Sequence, residues 1–360
     1  MTLADSAGVE ADAPATGRTD PAPPTRDESR PSRRRFIEVF RFSNVGVIYV
    51  IAALVVTFSL LEPETFPTMQ TLRFILNQNA IAGIVALSLV VPLSARMFDL
   101  SIGAAMGLSN VFVASLLVKH GFPPAVAVAI TVVSGLLVGI INGVIVVRWK
   151  IDSFIGTLAS GAILTSGISY MSDERIISGK ELSSGFSKLV TANVGGIAAP
   201  VFVMLAVAFI VWVLLKHTLT GRRIYATGFN EEAARLAGIR TARIQFGSLL
   251  VSGFTASLAG VILASQVSAG VPNVGPPYLL EAFAAAFLGA TQFGGYFNPW
   301  GTVVAVLLVG TGKTGLSLSG SPVWLQNMFS GVVLLTALLL VNVERSVERR
   351  RLLATAKPPD

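Results

Sequence analysis

The chain has 360 residues, of which 52% are hydrophobic and only 13% charged, with a net charge of +7 and no cysteine. Soluble domains carry about 25% charged residues, so this composition belongs to a chain dissolved in lipid. The missing cysteine excludes disulfides, thiol catalysis and cysteine-ligated metals, while 34 glycines suit helices that approach closely within a bilayer.

Residues 1–44 are rich in Ala, Pro, Asp, Arg and Ser and lack an apolar period, which predicts a disordered basic tail. Within it, Ser32-Arg33-Arg34-Arg35-Phe36-Ile37 resembles a twin-arginine export signal. No small-residue cleavage site follows, and many more apolar runs do, so the arginines are read as the positive anchor of a first span.

Ten apolar runs come next, each near the roughly 20 residues that a bilayer core requires. They lie at about 45–61, 75–95, 98–118, 124–147, 153–171, 200–215, 244–265, 279–293, 301–318 and 324–342. The second and eighth carry polar or Gly-rich stretches, and the ninth reads as one span or two half-spans. The expected fold class is an all-α integral membrane protein. Spans two to five and seven to ten are two sets of four on either side of one span. They therefore enter the membrane in opposite directions, the parity of an inverted repeat with a pathway at its interface.

Lysine and arginine counts orient the chain. With the N-terminus inside, 21 of the 27 basic residues fall on inner segments and 6 on outer ones, as the positive-inside rule requires. Both termini, the basic tail 343–360 and the loop 216–243 are then cytoplasmic, and the mixed-charge loop 172–199 is outside. The expected location is a cytoplasmic (inner) membrane.

The loop 216–243 is the only long charged run between the two apolar halves. Asn230 is a good N-cap, and Glu231 and Glu232 lie in the first turn, where exposed amides favour negative charge. Ala233, Leu236 and Ala237 share one face, Ala234 and Arg235 complete the turns, and Gly238 supplies a left-handed stop on which Ile239 folds back. These residues predict a helix of about two turns, roughly 10 Å long, shaped to dock in a groove of another protein.

Gly221-Arg222-Arg223, Ala226, Gly228 and Asn230 to Ile239 together resemble the coupling loop of ABC-transporter permeases of the ribose, xylose and galactose type, relatives of the branched-chain amino-acid permeases. Phe98-Asp99-Leu100-Ser101-Ile102-Gly103, Gly139-Ile140-Ile141-Asn142-Gly143 and Ser153-Phe154-Ile155-Gly156-Thr157-Leu158 are similar to further motifs of that family, in its order. So are Pro272-Asn273 with Gly275, Tyr278 and Glu281, then Gly294-Gly295 and Gly301-Thr302. The chain departs from the family pattern at Arg96-Met97, Gly289-Ala290-Thr291 and Thr314-Gly315-Leu316, which bears on the substrate rather than on the family.

The resemblance implies a pore formed with a second permease, a copy of this chain or a paralogue. It implies an ATPase subunit, as two copies or a fused pair, that receives the loop helix, and an extracytoplasmic sugar-binding protein that lands on 172–199. Pentoses, hexoses or related polyols are the implied cargo, with no cofactor, no nucleic acid and no catalysis by this chain. Branched-chain amino acids are the rival cargo.

Gly310-Thr311-Gly312-Lys313-Thr314-Gly315 superficially resembles a phosphate loop, but Leu307 stands where the pattern needs its first Gly, so ATP must be bound elsewhere. Ionisable and polar groups in spans are pathway candidates. Asp99, with Ser101, reads as a cap or a pathway group at the inner start of the third span, and Glu281 does the same at the outer start of the eighth. Asn142 reads as an interhelical bond or a substrate contact, and Thr157 joins the pathway set. An ion-coupled transporter would want carboxylates at mid-depth, whereas these sit at predicted span ends. An intramembrane enzyme would want motifs such as His-Glu-x-x-His, which the sequence lacks.

Overall fold

A computed structural model describes residues 42–187, 192–292 and 296–355. The predicted tail up to residue 41, with its Ser32–Ile37 run, lies outside the described residues, as do Gly294, Gly295 and residues 356–360.

The helices, in chain order, are α1 (Phe42–Leu61), α2 (Met69–Ser94), α3 (Ile102–Val118), α4 (Pro124–Gly143), α5 (Ser153–Ser172), α6 (Ala199–His217), α7 (Leu219–Phe229), α8 (Glu231–Leu236), α9 (Thr241–Val267), α10 (Gly275–Ala290), α11 (Pro299–Leu318) and α12 (Val323–Thr355). A two-stranded antiparallel hairpin, β1 (Asn193–Val194) and β2 (Ile197–Ala198), precedes α6. Helices α2, α5, α6, α9 and α11, and α4 with its π-helical continuation Val144–Arg148, are long and apolar enough to cross a membrane. Gly46–Leu61, α3 and Val323–Leu339 are shorter apolar helices, and α10 completes the ten predicted spans. The protein is an all-α integral membrane protein.

Local chemistry sets several starts. Thr68 Oγ1 accepts from Thr71 N at 3.1 Å, and Asp152 Oδ1 from Phe154 N at 3.0 Å. Asn298 Oδ1 takes Trp300 N at 2.9 Å, with Pro299 fitting the first helical position. Helix α2 is the axis of the bundle, buried continuously from Ala80 to Ser94. A helix apolar all round needs protein on every side, and α2 has α6, α9, α10 and α11 around it.

The two sets of four helices repeat one another. α2 packs on α10 and α11, as α9 packs on α3 and α4, and α10 packs on α12 as α3 packs on α5. The backbone echoes this. α2 ends at Ser94 and Arg96 turns left-handed (φ 61°), while α9 ends at Val267 and Ser268 does the same (φ 50°). Each turn leads through a short non-helical connection to a short helix. The first turns of α3 and α10 meet where the main chains at Gly103 and Gly275 touch, a contact that a Cβ on either would block. With the single helix α6 of spanning length between them, the two sets have the packing expected of an inverted repeat.

Several features differ from the sequence expectation, beginning with α2, which starts at Met69 rather than 75. α3 starts at Ile102 rather than 98, because Asp99 Oδ1 draws back Ser101 N at 3.0 Å and closes a local turn. α10 starts at Gly275, helped by Pro276 and Pro277 in its first turn. The ninth run is one unbroken helix despite Gly310, Gly312 and Gly315. The last helix runs on to Thr355, past the predicted end at 342. The helix α7, ahead of the expected loop helix, was not anticipated; Thr218 caps it, accepting from Gly221 N at 3.0 Å.

Candidate functional site

The loop helix is as its residues dictate. Asn230 Oδ1 accepts from Ala233 N at 3.0 Å, and Glu231 and Glu232 occupy the first turn. Gly238 has φ 82°, and Ile239 N reaches Ala234 O at 3.0 Å, the six-to-one closure of a left-handed C-cap. Ala234 is buried, whereas Ala233, Arg235 and Ala237 are exposed and Leu236 is 81% exposed. Arg235 pairs with Glu232 at 2.7 Å in solvent, a contact worth little by itself. α8 thus presents a small apolar tip inside a charged rim.

α7 fixes α8 to the bundle. Its Gly221 lies against Leu215 O and its Gly228 against Ser94 O, at approaches no Cβ would permit. Tyr225 Oη donates to Phe297 O at 2.8 Å. Burial pushes the Tyr225 phenol above its ordinary pKa, so the hydroxyl keeps its proton and its donor role at neutral pH. A cavity of about 570 Å³ beside this helix is walled by Trp212, Tyr225, Phe229, Tyr296 and Trp300. It holds few polar groups, and the polar chemistry of the protein lies elsewhere.

That chemistry begins just beyond Ser94. The connection 95–101 is fastened to α5: Phe98 N donates to Ser153 Oγ at 3.1 Å and Leu100 N to Thr157 Oγ1 at 2.9 Å. Asp99, Asn142 and Thr157 are fully buried, and Ser101 nearly so. Ser101 Oγ donates to Asp99 Oδ1 at 2.6 Å, and Asn142 Nδ2 donates to Ser101 Oγ at 2.7 Å. Three motifs separated in sequence therefore form one cluster. Asp99 lies just ahead of the first turn of α3, yet it is fully buried, because the connection that carries it folds inward to meet α4, α5 and α9.

Glu281 lies apart from these, at the opposite end of the bundle. It caps nothing; it forms an ion pair with Lys313 of α11, with both side chains mostly buried. The pair borders a polar cavity of about 380 Å³ with Gln78, Asn79, Tyr278 and Gln326. Lys313 stands within α11, where the Gly310–Gly315 run is helical throughout rather than looped around an anion. Asn110, overlooked in the sequence, ties the neighbouring connection down: its Oδ1 takes Val271 N at 2.6 Å. Tyr225 and Ser252 also escaped notice, and Ser153 was noted only as part of a motif, since a single Ser or Tyr carries little sequence signal by itself. The segment 173–187 is only partly a polar surface, for Leu182 and Phe186 are fully buried beneath it.

A bundle of long apolar helices, packed as two matching sets and broken at polar connections, is the architecture of a membrane permease. Residues 71–338 match the family described as branched-chain amino acid transport system / permease component, and the chain belongs to that family. It is similar to the ribose import permease protein RbsC of Bacillus subtilis (strain 168), at 35% identity over 80% of this chain and 89% of that one. It is 31% identical to the L-arabinose ABC transporter permease protein AraH of Azospirillum brasilense, over 92% of this chain and 96% of the relative. The fructose import permease protein FrcC of Rhizobium meliloti is 31% identical over 77% and 79%. No solved structure matches the chain.

Proposed function

We propose that this chain is the membrane-spanning subunit of an ATP-driven importer of a monosaccharide or related polyol. A separate ATPase subunit, as two copies or a fused pair, docks on α8 from the cytoplasm. A second permease, either this chain again or a paralogue, completes the pore, and an extracytoplasmic sugar-binding protein delivers cargo near 173–198. The face bearing α7 and α8 is then cytoplasmic, together with both termini, and the cavity at Glu281 opens outward. The observation that carries this reading is the exposed tip of α8, with Leu236 81% exposed on a helix whose partner α7 is locked to the bundle. An exposed apolar tip on a rigid seat is a surface made to receive force from another protein.

Ribose, arabinose and fructose permeases among the relatives favour a sugar over the branched-chain amino acids in the family's description. ATP is hydrolysed by the partner, and this chain contributes the pathway. The test is uptake by vesicles holding the chain with its ATPase and binding protein, offered radiolabelled ribose, arabinose, fructose, leucine and isoleucine. Uptake of a sugar that stops without ATP supports the reading. Uptake of the amino acids alone overturns the cargo, and a tag in 216–243 reporting the outside overturns the docking of the ATPase.

A further inference from the structure

The inverted repeat places the two polar regions in equivalent corners of the protomer. The outer cavity is enclosed by α10, α11, α12 and α2. Exchanging the halves turns these into α3, α4, α5 and α9, the helices around Asp99, Ser101, Asn142 and Ser252. One corner is open and the other is shut. At the shut corner α4 and α9 touch main chain to main chain, and a Cβ on Gly139 would lie 2.6 Å from Leu249 O and 2.7 Å from Leu250 Cα. At the open corner Gly310 of α11 meets the side chain of Asn79 of α2 instead. The amide acts as a spacer, and beside it lies the cavity of about 380 Å³.

The shut corner is left incompletely bonded. Among the described residues, Asp99 Oδ2, Asn142 Oδ1 and Ser252 Oγ have no well-formed hydrogen-bond partner, though all three side chains are fully buried, and Ser252 and the Asp99 carboxylate have at most a loose contact with each other. Ser252 stands beside the Asp99 carboxylate, and Asn142 is tied to Asp99 through Ser101. An unpaired buried polar atom costs about 1–3 kcal/mol. A group of them calls for a reason, and a ligand that bonds to them in another state of the protein would supply one. Two of the three are pure acceptors if the carboxylate is charged, and Ser252 both donates and accepts. A polyol, with hydroxyls that donate and accept in turn, matches that set.

Resting on the sugar-import reading, we propose that Asp99, Asn142 and Ser252 form an inner polyhydroxyl-binding subsite, collapsed here, which opens as the outer cavity closes. The hairpin on which the ATPase acts is joined to it directly, because Gly228 rests on Ser94, five residues before Asp99. A push on α8 therefore bears on the connection 95–101 first.

The experiment uses the reconstituted complex and Ser252→Ala, a small change that leaves the packing intact. With the sugar the wild type transports, loss of one subsite hydrogen bond should cut the maximal uptake rate about tenfold, the equivalent of roughly 1.4 kcal/mol. Against a series of monodeoxy analogues of that sugar, the variant and the wild type should converge for one analogue only, the one lacking the hydroxyl that Ser252 contacts. A merely structural role would slow every analogue alike, and that result, or no loss at all, overturns the proposal. Because the chain has no cysteine of its own, Ser252→Cys gives a second reading. A water-soluble methanethiosulfonate should label it during ATP turnover and not at rest; labelling that is the same in both states overturns the opening. If the wild type carries no sugar, the import reading fails and this subsite fails with it. If it does, and Ser252 proves indifferent, only the subsite fails.

Discussion

The two helices of the α7–α8 hairpin are adjacent in sequence and opposite in design. α7 is wedged into the bundle, with Gly221 and Gly228 against the main chain of Leu215 and Ser94 and its tyrosine bonded to Phe297. α8 buries only Ala234 and leaves its glutamates, arginine and leucine in solvent. The family motif runs through both, but for different reasons. Its glycines at 221 and 228 answer to this chain's own packing, while Asn230 to Gly238 shape an exposed tip, the surface proposed above to receive the ATPase. A seat that cannot slip and a tip that is free to be gripped are both required if force is to pass from one protein to another.

Substitutions can break this comparison in graded steps. The largest structural effect is expected for Gly228→Leu, whose side chain would have to displace Ser94 and the connection to Asp99. Overpacking of this kind costs on the order of 3 kcal/mol or more, so thermal unfolding in detergent should fall sharply and uptake should vanish. A variant as stable as the wild type would show that α7 is not seated as described.

Gly238→Val should be milder, since no atom lies within 4 Å of a Cβ at that position. Only the left-handed backbone resists it, at about 1–2 kcal/mol for a residue with a Cβ. That strain falls on the end of α8, so co-purification of the ATPase should weaken while the bundle keeps its melting temperature to within a few degrees.

The smallest structural effect is expected for Glu231→Ala combined with Glu232→Ala. Both are exposed, and the Glu232–Arg235 pair is solvated, so stability should change by less than about 1 kcal/mol. Uptake and substrate-stimulated ATP hydrolysis should nonetheless be lost. Wild-type uptake by this variant would make α8 a passive linker and would leave α7 as a packing device alone.

The corner at Glu281 and the corner at Asp99 differ in the same spirit as the two helices, and they mark how far reading the residues could go. Short-range devices were legible. The Asn230 cap, the turn of glutamates and the Gly238 stop act within four or five residues, where backbone hydrogen bonds and steric rules operate without help from the rest of the chain. The ten apolar runs and their parity were equally plain, because a bilayer imposes one length on every span. The pairing of Glu281 with Lys313 and of Asn142 with Ser101 was not, for these partners stand 32 and 41 residues apart. Nothing local decides which faces of two apolar helices will meet. In these spans that is settled by where glycines let main chains touch, at Gly139 with Leu250 and at Gly103 with Gly275, and by the inward fold of the connection 95–101. The sequence by itself determined the membrane class, the order of the apolar helices and the capped helix that forms the exposed tip. Only the packed structure decided which of two equivalent corners is open, because that depends on a difference between contacts rather than on the residues that make them.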